Sequence, residues 1–151
     1  MTASNFEITV RLILQASAVG APHHEHVLSL GKTPQYLLDY GFPDHELKTT
    51  GRVIDKAYFD HGISKRILER LGDLIASPQA LYKSATVIDS VVVVTLEQRN
   101  ASPILVPIRS NQLIGRQFVN VITSVYNKDR WVEVAPRWRA NGLLIWQKKA
   151  P

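Results

Sequence analysis

An α+β fold, with N-terminal helices packed on one face of a roughly four-stranded antiparallel sheet, is predicted by three observations. Apolar residues recur at helical spacing between Gln35 and Ile75. After Pro78 the period changes, and a β-branched run, Val91–Val94, reads as a strand buried on both faces. Helical segments therefore precede strand segments, the order that segregates helices to one side of an antiparallel sheet.

The elements follow in order. Met1–Val19 turns apolar at Ile8, Val10, Leu12 and Leu14, an alternation that suits a strand, while Phe6, Val10 and Ile13 suit a helix. A glutamate precedes this stretch and no basic region leads it, so it does not read as a signal peptide. Residues 1–26 are expected to be an N-terminal extension or linker, and residues 27–151 the folded domain. Val27–Leu30 reads as a short strand closed by Gly31. Thr33-Pro34 opens a helix over Gln35–Tyr40 that stops at Gly41. Phe42-Pro43-Asp44 is a turn. Thr49 or Thr50 caps a helix over Gly51–Asp60, and Ser64 caps another over Lys65–Ile75. Strands are expected at Ala80–Ser84, Val87–Gln98, Pro103–Arg109 and Arg116–Tyr126. A hairpin turn falls at Arg99–Ser102, one helical turn at Pro136–Ala140 and a last strand at Gly142–Gln147.

At 151 residues the chain suits one domain with a real core. No apolar run approaches the ~18 residues of a membrane span, so stable membrane insertion is not expected. The absence of cysteine excludes a disulfide framework, a thiolate metal site and a cysteine nucleophile. The charge is unevenly placed. Between Arg116 and Lys149 seven basic residues face only Asp129 and Glu133, which accounts for the whole net charge of +5. The rest of the chain is balanced. A neutral body with a basic C-terminal third suits a polyanion, or is simply a solvated basic face. Trp131, Trp138 and Trp146 interleave with Arg130, Arg137, Arg139 and Lys148, an arrangement for stacking bases and holding a phosphate backbone. One or two of these tryptophans, Trp138 above all, fit the core equally well. His23-His24-Glu25-His26 places His24 and His26 on one face of an extended segment, but no fixed partner for a metal ion is visible. Lys32-Thr33 after Gly31 lacks the upstream glycine of a phosphate loop.

Several pieces stand together in a fixed order. They are Leu30–Pro34, Asp55–Gly62, Leu74–Pro78, the strands Ser90–Leu96 and Ile104–Ile108, Val119–Tyr126 and Gly142–Trp146. In this order the chain resembles the barnase/EndoU/colicin/RelE-like nuclease superfamily. The version it is most similar to is the domain at the C-terminus of phage head-morphogenesis proteins and of some polymorphic bacterial toxins. The resemblance implies an RNA-cleaving site on the sheet face of residues 27–151. It implies a toxin of contact-dependent inhibition or a related delivery system, secreted or delivered to act in the target-cell cytoplasm and neutralised by a cognate immunity protein. Transfer RNA is the substrate class it suggests. Lys56 and His61 match the polar pair of the helix before the sheet, and Ser124 and Tyr126 match the third-strand motif. Trp146 stands where a tyrosine is expected, keeping a stacking face and losing a hydroxyl.

The chemistry fits the residue types. Metal-independent cleavage by a 2′-hydroxyl, leaving a 2′,3′-cyclic phosphate, needs a base, an acid and donors for the charge building on phosphorus. No metal or other cofactor is expected. His61 suits the acid–base role, Lys56 the charge, and Thr123, Ser124 and Tyr126 the positioning of the phosphate. Arg109, Asn120, Lys128, Arg139 and Trp146 are the candidate substrate contacts. On a regular strand Asn120, Ile122, Ser124 and Tyr126 share a solvent-facing side, and Val119, Val121, Thr123 and Val125 face the core. Lys56 and His61 are roughly 140° apart on a regular helix, so they converge only if the helix ends near Asp60. A helix-terminal His61 bonding the last carbonyls, and an ion-paired Arg109, are the plainer alternatives. An immunity protein would present an acidic surface to the basic cleft. A non-catalytic RNA-binding module or a phage-assembly interaction domain would keep the same basic face.

Overall fold

The computed structural model describes residues 5–99 and 102–148. Of the two periods in the first segment the helical one prevails. Asn5–Ala18 forms α1, because Val10, Ile13 and Leu14, at helical spacing, are all buried. This helix contributes to the main core. β1 spans Val27–Lys32, and α2 spans Gln35–Tyr40, stopping at Gly41 with a φ of 125° that favours glycine. β2 (Glu46–Thr50) leads directly into α3 (Gly51–Asp55). The Thr50 side chain caps α3 by accepting the Val53 N–H at 3.4 Å. The helix continues as a π-helical turn, Lys56–Asp60, whose last bond runs from the His61 N–H to the Lys56 carbonyl at 3.0 Å. Ser64 caps α4 (Lys65–Glu69). The sequence predicts one helix to Ile75, but Arg70 leaves helical dihedrals (φ −106°, ψ 22°) and separates α4 from α5 (Leu71–Ala76).

The sheet contains β3 (Ala80–Lys83), β4 (Ser90–Arg99), β5 (Ser102–Ile114), β6 (Gln117–Ile122), β7 (Tyr126–Asn127) and β8 (Leu144–Gln147). α6 (Trp131–Ala140) precedes β8 and is longer than the single turn predicted. Asn100 and Ala101, in the predicted hairpin turn, lie outside the described residues. The fold is α+β, but the sheet corrects the four-stranded antiparallel expectation. Among the described residues it has eight strands in the order β1-β2-β6-β5-β4-β3-β8, with β7 paired to β5. β2 runs parallel to β6 through Leu47↔Asn120 and Lys48↔Val121, which makes the sheet mixed. The missed strand, β2, carries a single apolar residue, so no period reveals it. Leu47 and Thr49 are nonetheless fully buried. The Thr49 hydroxyl escapes the cost of burial by donating to the Ile122 carbonyl at 3.0 Å.

Each sheet face carries its own core. Val91 and Val93 of β4, with Ile104, Val106 and Ile108 of β5, face the helical layer of α1–α5. Val92, Val94 and Leu105 face the other way and pack with Tyr82, Leu144 and α6. Trp131 and Trp138 belong to this second cluster. Their rings meet each other edge-on at 5.5 Å, and they meet Tyr82 at 5.7 and 5.4 Å respectively. These two tryptophans therefore fill space between α6 and the sheet.

Candidate functional site

The third long strand breaks, and the break builds the site. β6 ends at Ile122 and pairing resumes only at Tyr126, opposite Leu105. The three-residue interruption drops Val125 into the helical core beside Ile122. It also turns Tyr126 to the α6 side of the sheet, where Thr123 already lies. A regular strand would have put Thr123 and Tyr126 on opposite faces. Here both line one cleft of about 570 Å³, with Arg109 of β5, Lys83 of β3 and Trp138 of α6. Arg109 is placed by its pairing with Ser90 on one side and Val121 on the other.

Among the described residues, the wall of this cleft carries two basic side chains, Lys83 and Arg109, and no acidic one. The Arg109 Nε is buried and has no hydrogen-bond partner among the described residues. Such a donor, left unmatched, is costly to keep unless something accepts from it. Thr123 is anchored by its N–H to the Pro107 carbonyl at 3.0 Å. Burial raises the Tyr126 phenol above its ordinary range, so near neutral pH it is an O–H donor. The His61 ring lies 6.1 Å from the Tyr126 ring, centroid to centroid. His61 follows the π-helical turn at the end of α3, and Gly62 (φ 67°) then redirects the chain. The cleft thus sets cationic and hydroxyl groups on a largely apolar wall and is of ordinary size for a small ligand or a nucleotide unit.

Other sequence-predicted residues lie elsewhere. Asn120 is fully buried, not solvent-facing. Its Nδ2 donates to Thr33 Oγ1 at 2.8 Å and to the Pro43 carbonyl at 3.0 Å, and its Oδ1 accepts the Asn111 N–H at 3.0 Å. It joins β6 to the α2–β2 turn and is a structural residue. Ile122 packs in the helical-side core, and Asn120, two residues before it on the same side of β6, meets Thr33 and Pro43. Lys56 lines a different cavity, with His24 and Asp55. Ser124 is half-buried and outside the cleft wall. Trp146 pairs with Leu81, which belongs to the helical-side core. Directly paired residues share a face, so Trp146 lies across the sheet from the cleft. Lys128, half-buried, follows β7, and Arg139 is exposed on α6, close enough for its charge to act on Tyr82. Neither lines the cleft. Sequence reasoning missed Lys83, because a lysine ending a short strand carries no signal of what stands opposite it. Among the described residues, no group of three or more His, Cys, Asp or Glu is placed to hold a metal ion. No helix among them is long and apolar enough to cross a membrane.

Fold and cleft together define an α+β domain with a cationic pocket on one sheet face. Residues 52–150 match the model of the Phage MuF-C-terminal domain, and the chain belongs to that phage-related family. No curated protein matches the chain, and no solved structure does.

Proposed function

We propose that the protein is a metal-independent endoribonuclease of the barnase/EndoU/colicin/RelE-like superfamily. In this reading it is a toxin domain delivered into a target cell, acting on transfer RNA and neutralised by an immunity protein with an acidic surface. One observation carries the chemistry: a cleft free of acidic side chains gathers Arg109, Thr123 and Tyr126, with His61 packed against Tyr126. Arg109 comes from β5, Thr123 from the break after β6, Tyr126 from β7 and His61 from the end of the α3 helix, and a plain solvated face gives no reason for their convergence.

In the proposed reaction the ribose 2′-oxygen bonds to phosphorus and the bond from phosphorus to the 5′-oxygen breaks. The His61 imidazole accepts the 2′-hydroxyl proton and returns it to the leaving 5′-oxygen. Arg109 and Lys83 hold the charge that builds on the non-bridging oxygens, a role the sequence assigned to Lys56. The Tyr126 phenol and the Thr123 hydroxyl position the phosphate. The basic residues exposed on α6, Arg137 and Arg139, extend the positive surface along which an RNA backbone would run.

The test is incubation of the purified chain with total bacterial RNA in chelator, beside His61→Ala and Arg109→Ala. Discrete fragments with cyclic-phosphate ends from the unaltered chain, and none from either variant, are expected. Unchanged cleavage by His61→Ala removes that residue from the mechanism. RNA retained in low salt without any product favours a binding module, and no retention at all favours a phage-assembly role.

A further inference from the structure

A second cavity lies where the end of α1 and the loop before β1 meet α3. We infer that this cavity, built around a His24–Asp55 pair, binds a nucleoside phosphate. The inference does not rest on the ribonuclease reading. The cavity holds about 600 Å³, a size that accommodates a nucleotide.

Its centre is a hydrogen-bonded pair. Asp55 is 6% exposed, and its Oδ2 accepts from Ser17 Oγ at 2.6 Å and lies 3.1 Å from His24 Nε2. A carboxylate is an acceptor only, so His24 Nε2 is the donor of this pair. The loop that carries His24 is docked tightly. The Gly51 N–H donates to the His26 carbonyl at 2.8 Å, and the Arg52 N–H donates to the His24 carbonyl at 3.1 Å. A Cβ on Gly51 would fall 1.9 Å from the His23 carbonyl oxygen, so glycine is what permits this approach. The histidine is therefore held by its backbone and by its side chain. A purely structural aspartate at this burial would have both oxygens matched, yet Asp55 Oδ1 is buried with no donor among the described residues. The pair holds the imidazole in a fixed orientation at the cavity wall.

The remaining wall matches the parts of a nucleoside phosphate. Arg52 and Lys56 supply positive charge for the phosphate. Arg52 meets Glu25 at 3.3 Å, but Glu25 is 94% exposed, so a phosphate can displace that solvated partner. Phe59, half exposed, offers a ring for a base to stack on. Asp60 supplies an acceptor for ribose hydroxyls. The acidic acceptor separates this site from the acid-free cleft. The turn Lys56–Asp60 links the two, since it lines this cavity and is followed by His61.

Calorimetric titration with 5′-AMP, adenosine and inorganic phosphate tests the inference, together with NMR observation of the His24 ring. The proteins are the unaltered chain, Lys56→Gln, Phe59→Ala and Arg109→Ala. Lys56 and Phe59 are exposed, so their variants keep the fold. 5′-AMP is expected to bind at least ~10-fold more tightly than adenosine or phosphate, a difference of about one decade in Kd. It should shift the His24 ring signals, weaken ~10-fold in Lys56→Gln and in Phe59→Ala, and bind Arg109→Ala unchanged. Three results overturn the inference: no binding at millimolar 5′-AMP, phosphate binding as tightly as 5′-AMP, or binding that Arg109→Ala abolishes. None of these readouts involves RNA cleavage, so the two readings fail separately.

Discussion

Replacing Asn120 by alanine removes three hydrogen bonds from a fully buried position: two donated to Thr33 Oγ1 and the Pro43 carbonyl, and one accepted from the Asn111 N–H. Each such bond contributes about 1 kcal/mol net, so the loss is about 3 kcal/mol before any relaxation. With a urea slope of about 2 kcal/mol/M for a chain of this size, the midpoint should fall by about 1.5 M. The Trp131–Trp138–Tyr82 cluster gives a fluorescence signal for the transition. A second variant sharpens the argument. Asn120→Asp keeps the shape but turns the donor toward the Pro43 carbonyl into an acceptor, so at neutral pH it should be less stable than the alanine variant. A midpoint shift under about 0.3 M for alanine, or ~0.6 kcal/mol on that slope, refutes the structural role and reopens a role in substrate contact.

Three other outcomes are expected. Ile13→Ala, on the buried face of α1, should cost about 2–5 kcal/mol in urea unfolding, as a core truncation does; a loss below ~1 kcal/mol would mean that α1 is not part of the cooperative core. Gly51→Ala should force the His23–His26 loop away from α3, and hydrogen exchange should show the Gly51 and Arg52 amides losing protection; unchanged protection would contradict the docked loop. Burial raises the phenols of Tyr36, Tyr82 and Tyr126, whereas the unfolded phenols ionise near ~10. The unfolded chain then releases protons first, so stability is intact below pH ~10 and declines as pH rises through it toward the folded values. Tyr36→Phe removes the contributor whose hydroxyl donates to the Ile75 carbonyl at 2.6 Å. It should move alkaline unfolding to higher pH, and an unmoved alkaline limb would count against the burial account.

Much of the architecture was legible in local pattern. The cap at Ser64, the stop of α2 at Gly41 and the buried run Val91–Val94 depend on neighbours within a few residues, and periodicity reports such neighbours directly. β2 was not legible. Its pairing with β6 joins Leu47 to Asn120, far apart in the chain, and one apolar residue cannot announce a strand that a distant partner creates. The candidate site divides in the same way. Arg109, Thr123, Tyr126 and His61 were recognisable as residue types and as pieces of a resembling motif. Their convergence was not, because alternation assumes an unbroken strand, and the strand breaks after Ile122. Asn120 failed for the complementary reason: a polar residue on a strand reads as solvent-facing until its three hydrogen-bond partners are in place. Ser17, His24 and Asp55 come from three separate segments that only packing brings within hydrogen-bond reach. By itself the sequence determined the α+β class, the ends of most elements and the basic C-terminal third, since these follow from short-range sterics, patterning and charge. Tertiary structure alone decided the mixed sheet, the acid-free cleft and the His24–Asp55 pair, because each depends on contacts between segments whose spacing along the chain carries no period.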